Sequence, residues 1–109
     1  LICVITNDGW WGDRQGYKQH FSYSKLRAIE SRKSLVRSAN TGISGVILPN
    51  GRVSSSLQWD ENKYLSTEVG IYDQKTFYNK YGDYLGRISA FISVMILLIF
   101  IPKRIIFSS

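Results

Sequence analysis

Apolar positions fall into short runs through the first half of the chain and one long run near its end. Leu1 to Thr6 is apolar and rich in β-branched residues, the composition of a buried strand. Asn7-Asp8-Gly9 then breaks the run, since Asn and Asp bond their own backbone and Gly permits positive φ. Tyr17 to Lys33 has good helix formers, no proline and no internal glycine, and reads as a helix. Leu35–Ala39 and Ile43–Leu48 read as strands. Pro49-Asn50-Gly51 is a tight turn, and Arg52–Leu57 returns as the second arm of a hairpin. A polar loop over residues 58–63 carries Trp59, and the partial alternation of Tyr64–Tyr72 predicts a further strand. Residues 88–102 carry no charge, and most of them are large and apolar.

That last run predicts a membrane helix over residues 84–102. It is apolar all round, Phe77, Tyr78, Tyr81 and Tyr84 precede it, Arg87 can snorkel to an interface, and Lys103-Arg104 closes it. The excess of basic residues over cytoplasmic ends then places residues 103–109 in the cytoplasm and everything before Tyr84 outside the membrane. A buried core helix is the competing reading.

The formal net charge of +6 is spread along the chain rather than gathered into a block. With no nucleic-acid motif present, this favours a membrane surface or plain solubility over DNA or RNA, and no nucleic-acid partner is expected. The single cysteine, Cys3, excludes an internal disulfide. Lying between Ile2 and Val4 it reads as a small buried hydrophobe rather than a nucleophile, which needs exposure and an electropositive setting.

Two places invite a chemical reading. Trp10 and Trp11 sit in a loop directly after a strand, and a loop tryptophan is a large apolar plate with one N–H donor, suited to lining a site for an apolar ligand. Alternatively one of them packs under the loop as a plug. His20, Tyr23, Arg27 and Glu30 fall on one face of the helix at spacings of three, four and three, and every member can hydrogen-bond. They read as a structural network fixing the helix against the sheet. His20 as a catalytic base is the weaker alternative, since it lacks a visible nucleophile partner.

The motifs Ile5-Thr6-Asn7-Asp8-Gly9-Trp10-Trp11-Gly12-Asp13, Gln19-His20, Arg27-Ala28-Ile29-Glu30 and Arg37-Ser38-Ala39-Asn40-Thr41-Gly42, in this order and spacing, resemble the apolipoprotein N-acyltransferases, membrane enzymes with a nitrilase-like domain. The resemblance is specific from residue 1 to about Arg52 and looser beyond. It implies an α+β fold: residues 1–72 as the C-terminal part of a nitrilase-like αββα sandwich, 73–83 as a juxtamembrane linker, 84–102 as one transmembrane helix and 103–109 as a cytoplasmic tail. The implied location is the bacterial inner membrane, with the nitrilase-like part on the periplasmic side. The implied reaction moves an acyl chain from a phospholipid donor to the N-terminal amine of a diacylglyceryl apolipoprotein acceptor. It runs through a thioester on a cysteine, with Glu as base and Lys supporting the oxyanion. All three catalytic positions are expected upstream of Leu1, so the chain reads as an inactive fragment with no catalytic residue of its own. Asn7, Asp8, Trp10, Trp11, Asn40 and Thr41 are the expected substrate-binding residues, and no cofactor or metal is implied. The rival readings are a soluble nitrilase-superfamily carbon–nitrogen hydrolase, against which residues 88–102 speak, and a non-enzymatic membrane-anchored binding module.

Overall fold

A computed structural model describes residues 1–12 and 14–106, with side chains as far as Phe100. The element order is β1 (Ile2–Thr6), α1 (Gln15–Ser31), β2 (Leu35–Ala39), β3 (Ser44–Ile47), β4 (Val53–Leu57), α2 (Phe77–Tyr81) and α3 (Tyr84–Ile106), with a single 3-10 turn at Gly9–Trp11. The strands form one mixed sheet in the order β1-β2-β3-β4. β1 and β2 run parallel, from Ile2 opposite Leu35 to Thr6 opposite Ala39, and α1 supplies the crossover that a parallel pair requires. β2 with β3, and β3 with β4, are antiparallel hairpin pairs.

α1 covers one face of the sheet. Its buried residues, Tyr17, Phe21, Ser24 and Ala28, recur every three or four positions and make a single helical stripe. Tyr17, Phe21 and Ala28 meet Leu35, Ile43 and Ile47 in the core, with Ile2, Val4 and Trp59 packed at its border. The Trp59 ring lies 4.6 Å from that of Tyr17, which ties the loop after β4 back onto the helix. The helix ends where Arg32 enters the left-handed region and Lys33 N–H reaches back to the Ala28 carbonyl. Thr76 fastens the C-terminal part to this same end, its hydroxyl donating to the Glu30 carbonyl at 2.6 Å.

Several expectations are corrected. The described strands form one open sheet with helices on it and are not closed into the nitrilase-type αββα sandwich. The fold class is therefore a mixed sheet with flanking helices. No strand forms over Tyr64–Tyr72; residues 61–76 carry no regular structure, so their partial alternation finds no sheet partner. Among the described residues no helix is long and apolar enough to cross a membrane, which overturns the transmembrane helix expected at 84–102. The uncharged stretch of α3, residues 88–102, is about 22 Å of helix against a hydrocarbon core of about 30 Å. The inner-membrane location and the orientation inferred from Lys103 and Arg104 rested on that helix and fall with it. Cys3 is exposed rather than buried, because β1 alternates: Ile2 and Val4 face α1, while Cys3 and Ile5 face the side that α1 leaves uncovered.

Candidate functional site

The C-terminal ends of β1 and β2 lie side by side, so the loops that leave them meet. The β1 loop folds on itself first. Asn7 Oδ1 accepts the Gly9 N–H at 3.1 Å, and the Asp8 carbonyl accepts the Trp11 N–H at 3.1 Å, closing the 3-10 turn. It is then tied to the β2 loop, where Asn40 Oδ1 accepts the Asp8 N–H at 3.2 Å and the Thr41 hydroxyl at 3.3 Å. Asn7, Asp8, Asn40 and Thr41 therefore share one end of the sheet.

Asp8 is completely buried there. Its Oδ2 accepts from Arg37 Nη2 at 2.7 Å. Its Oδ1 lies 2.8 Å from His20 Nδ1 and accepts the Thr6 hydroxyl at 3.1 Å. Burial is the largest single influence on this carboxyl and opposes its charge. The bonds from His20 and Arg37, the Arg37 charge and the Thr6 hydroxyl outweigh it together, so Asp8 titrates below the ordinary carboxylate value. Gly42 backs the carboxylate closely: a side chain there would overlap Asp8 Oδ2, so only glycine fits.

Arg37 is the other half of the cluster and is also buried. Its Nε donates to the Ile43 carbonyl at 3.2 Å and its Nη1 to the Ser24 hydroxyl at 3.0 Å, so the guanidinium is held by the β2–β3 connection, by α1 and by the β1 loop. His20 Nδ1 lies between an obligate acceptor, Asp8 Oδ1, and an obligate donor, Arg37 Nη2 at 3.2 Å. The shorter contact fits a proton on Nδ1 donated to the Asp8 carboxylate. His20 borders a cleft of about 270 Å³ with Ile2, Val4, Tyr23 and Arg27. Cys3 faces the opposite side of β1 from this cleft, so the two do not form a cysteine–histidine pair.

The tryptophans stand above the cluster. Trp10 is 86% exposed and Trp11 49% exposed. The Trp11 ring lies against the first turn of α1, where a Cβ on Gly16 would come within 2.7 Å of it. Trp10 is thus a free plate and Trp11 a partly seated one. The helical stripe is divided: His20 joins Asp8 and Arg37, Arg27 and Glu30 pair with each other at 3.0 Å on the surface, and Tyr23 is exposed. Asp13 lies outside the described residues. By sequence Arg37 enters only as part of a family motif and not as a site residue, although a signal was present: in Leu35-Val36-Arg37-Ser38-Ala39 it shares the inward face of the strand with Leu35, and an arginine there needs a buried partner.

No family model matches the chain. It is 43% identical to apolipoprotein N-acyltransferase 2 of Treponema denticola over 105 residues, which is 95% of this chain and 20% of that protein. It is 40% identical to the apolipoprotein N-acyltransferase of Geobacter metallireducens over 83 residues, or 76% of this chain and 16% of that protein. By sequence the chain is apolipoprotein N-acyltransferase-like. It spans about a fifth of the length of these curated relatives. The match to the T. denticola protein takes in nearly the whole chain, so both loops at the end of the sheet fall within the likeness. Among the described residues there is no catalytic cluster of Cys, His and Glu, and no group of three His, Cys, Asp or Glu that could hold a metal.

Proposed function

We propose that the complete protein carrying this chain transfers an acyl chain from a phospholipid to the N-terminal amine of a diacylglyceryl-cysteine lipoprotein, through a cysteine thioester whose nucleophile lies outside residues 1–109. In this reading the chain forms one wall of the site. Trp10 and Trp11 face the acyl chain, and Asn7, Asn40 and Thr41 hold the rim. Asp8, with both oxygens engaged inside the protein, shapes the loop rather than touching substrate. The observation that carries the reading is the exposed Trp10 plate on a loop tied at Asp8 to two strands and a helix. Because the backbone of the turn is already held, an acyl chain that lies on Trp10 has the ring to order on binding but not the loop.

The test is acyl transfer by the complete protein, with thioester formation and transfer to the amine measured separately. Trp10→Ala is expected to slow at least one step by about tenfold or more, a barrier change of ~1.4 kcal/mol. Trp11→Phe retains an aromatic ring and is expected to be nearly silent. Normal rates in both steps for Trp10→Ala would reduce the loop to packing. A second reading, a nitrilase-superfamily hydrolase acting on a small amide or nitrile, regains standing because the membrane helix that weighed against it is not found among the described residues. Hydrolysis of such an amide, with no acyl transfer, would favour it.

A further inference from the structure

We propose that Arg37 and Asp8 are positioning residues for Trp10: the guanidinium fixes the Asp8 carboxylate, and the carboxylate fixes the backbone from which the tryptophan projects. The proposal rests on the reading that Trp10 faces the acyl chain.

Arg37 has three anchors in three parts of the fold: the Ile43 carbonyl, the Ser24 hydroxyl of α1 and Asp8 Oδ2. A guanidinium is a planar fork, so these partners fix its plane and thereby the direction from which Asp8 is gripped. Asp8 is then held at every polar atom. Its side chain receives Arg37, His20 and Thr6, its N–H goes to Asn40 Oδ1, and its carbonyl receives the Trp11 N–H. Gly42 closes the space behind the carboxylate. Trp10 stands two residues beyond Asp8, inside the turn that the Asp8 carbonyl closes, and is itself 86% exposed. Among the described residues the Trp10 ring has little packing of its own, so the backbone position from which it projects is set at Asp8. Stability alone does not call for such a pair. A buried ion pair often does no better than apolar side chains of equal volume, whereas its directional bonds select one arrangement of the groups it joins.

The experiment is a mutant cycle in the complete protein, combining Arg37→Gln with Trp10→Ala and reading acyl transfer beside the melting temperature. With Trp10 present, Arg37→Gln is expected to slow transfer by about tenfold, and in the Trp10→Ala background by less than about twofold, because the two changes remove the same contribution. The fall in melting temperature is expected to be the same in both backgrounds. Where Trp10→Ala itself slows transfer, an equal loss on Arg37→Gln in both backgrounds would overturn the proposal, since Arg37 would then only support the fold. Asp8→Asn, which retains the shape of the side chain, gives the same comparison if Arg37→Gln fails to fold. Labelling with 5-fluorotryptophan separates this proposal from the acyl-site reading. If Trp10→Ala leaves transfer unchanged but Arg37→Gln shifts the Trp10 fluorine resonance and spares that of Trp59, positioning stands and the acyl-site reading fails. An unmoved Trp10 resonance would overturn positioning whatever the transfer rates.

Discussion

Arg37–Asp8 and Arg27–Glu30 are both arginine–carboxylate contacts, 2.7 and 3.0 Å long, and both involve α1 or residues packed on it. Their settings are opposite. The side chains of Arg37 and Asp8 are wholly buried, while that of Arg27 is 66% exposed. Contact length therefore says little about what either pair contributes. In the buried pair, water cannot replace a lost partner, and the remaining charge bears the full cost of desolvation. In the surface pair, water replaces either partner at once, and the attraction is weak and screened by salt.

The largest expected effect follows from the buried side. Arg37→Ala leaves the Asp8 carboxylate enclosed without its cation and is expected to cost about 3–5 kcal/mol in urea unfolding. Much of that loss is the penalty on the abandoned charge, not the net worth of the pair. Adding Asp8→Asn to Arg37→Ala is accordingly expected to recover part of the stability. A double variant less stable than Arg37→Ala alone would show that Asp8 does not suffer from losing its partner.

A smaller effect separates the two regions by pH. The Asp8 carboxyl titrates below its ordinary value in the folded chain, because its bonds to His20, Arg37 and Thr6 outweigh the opposing effect of burial. A depressed folded value means that the unfolded chain takes up this proton first as pH falls. The stabilisation is complete above the unfolded value, about 3.9, and is lost as pH drops through the folded value beneath it. Unfolding free energy measured from pH 6 down to pH 2.5 is expected to fall most steeply below about pH 4. The Asp8→Asn variant is expected to lose that part of the slope. An unchanged slope would place the acid sensitivity elsewhere.

The sequence made the elements legible and the site only in part. The pattern located α1, β1 and the three strands that follow, because each has a periodicity or a turn of its own. Tyr64–Tyr72 misled, since partial alternation carries no information about whether a sheet edge is available to pair with. The run at 88–102 misled in another way: a helix does form over it, but its uncharged stretch is about 22 Å long, short of a hydrocarbon core of about 30 Å. The helical stripe is the instructive case. His20, Tyr23 and Arg27 each immediately precede a residue of the buried stripe, Phe21, Ser24 and Ala28, so the expected face lies about 100° round the helix from the packed one. Spacing correctly brought Arg27 to Glu30 and said nothing about which way the face points. Arg37 was hidden because its partner is 29 residues away, a separation at which local pattern has no reach.

The smallest expected effect lies on that rotated face. If the stripe were buried, Arg27→Ala would unfold the domain far more readily than Lys25→Ala. With the Arg27–Glu30 pair at the surface, its loss is worth about 0.3–0.5 kcal/mol, the usual scale for helix neighbours three or four apart. Lys25 is no idle control, because its ammonium lies 5.5 Å from the centre of the Phe21 ring, a contact worth about 0.5–1 kcal/mol at an exposed site. The two alanine variants are therefore expected to be equally stable within about 0.5 kcal/mol. Raising salt to about 1 M, where charges are screened beyond about 3 Å, should shrink the Arg27 effect further. A loss of several kcal/mol for Arg27→Ala, undiminished by salt, would mean that this face of α1 is covered in solution and that the Arg27–Glu30 pair is an inner one.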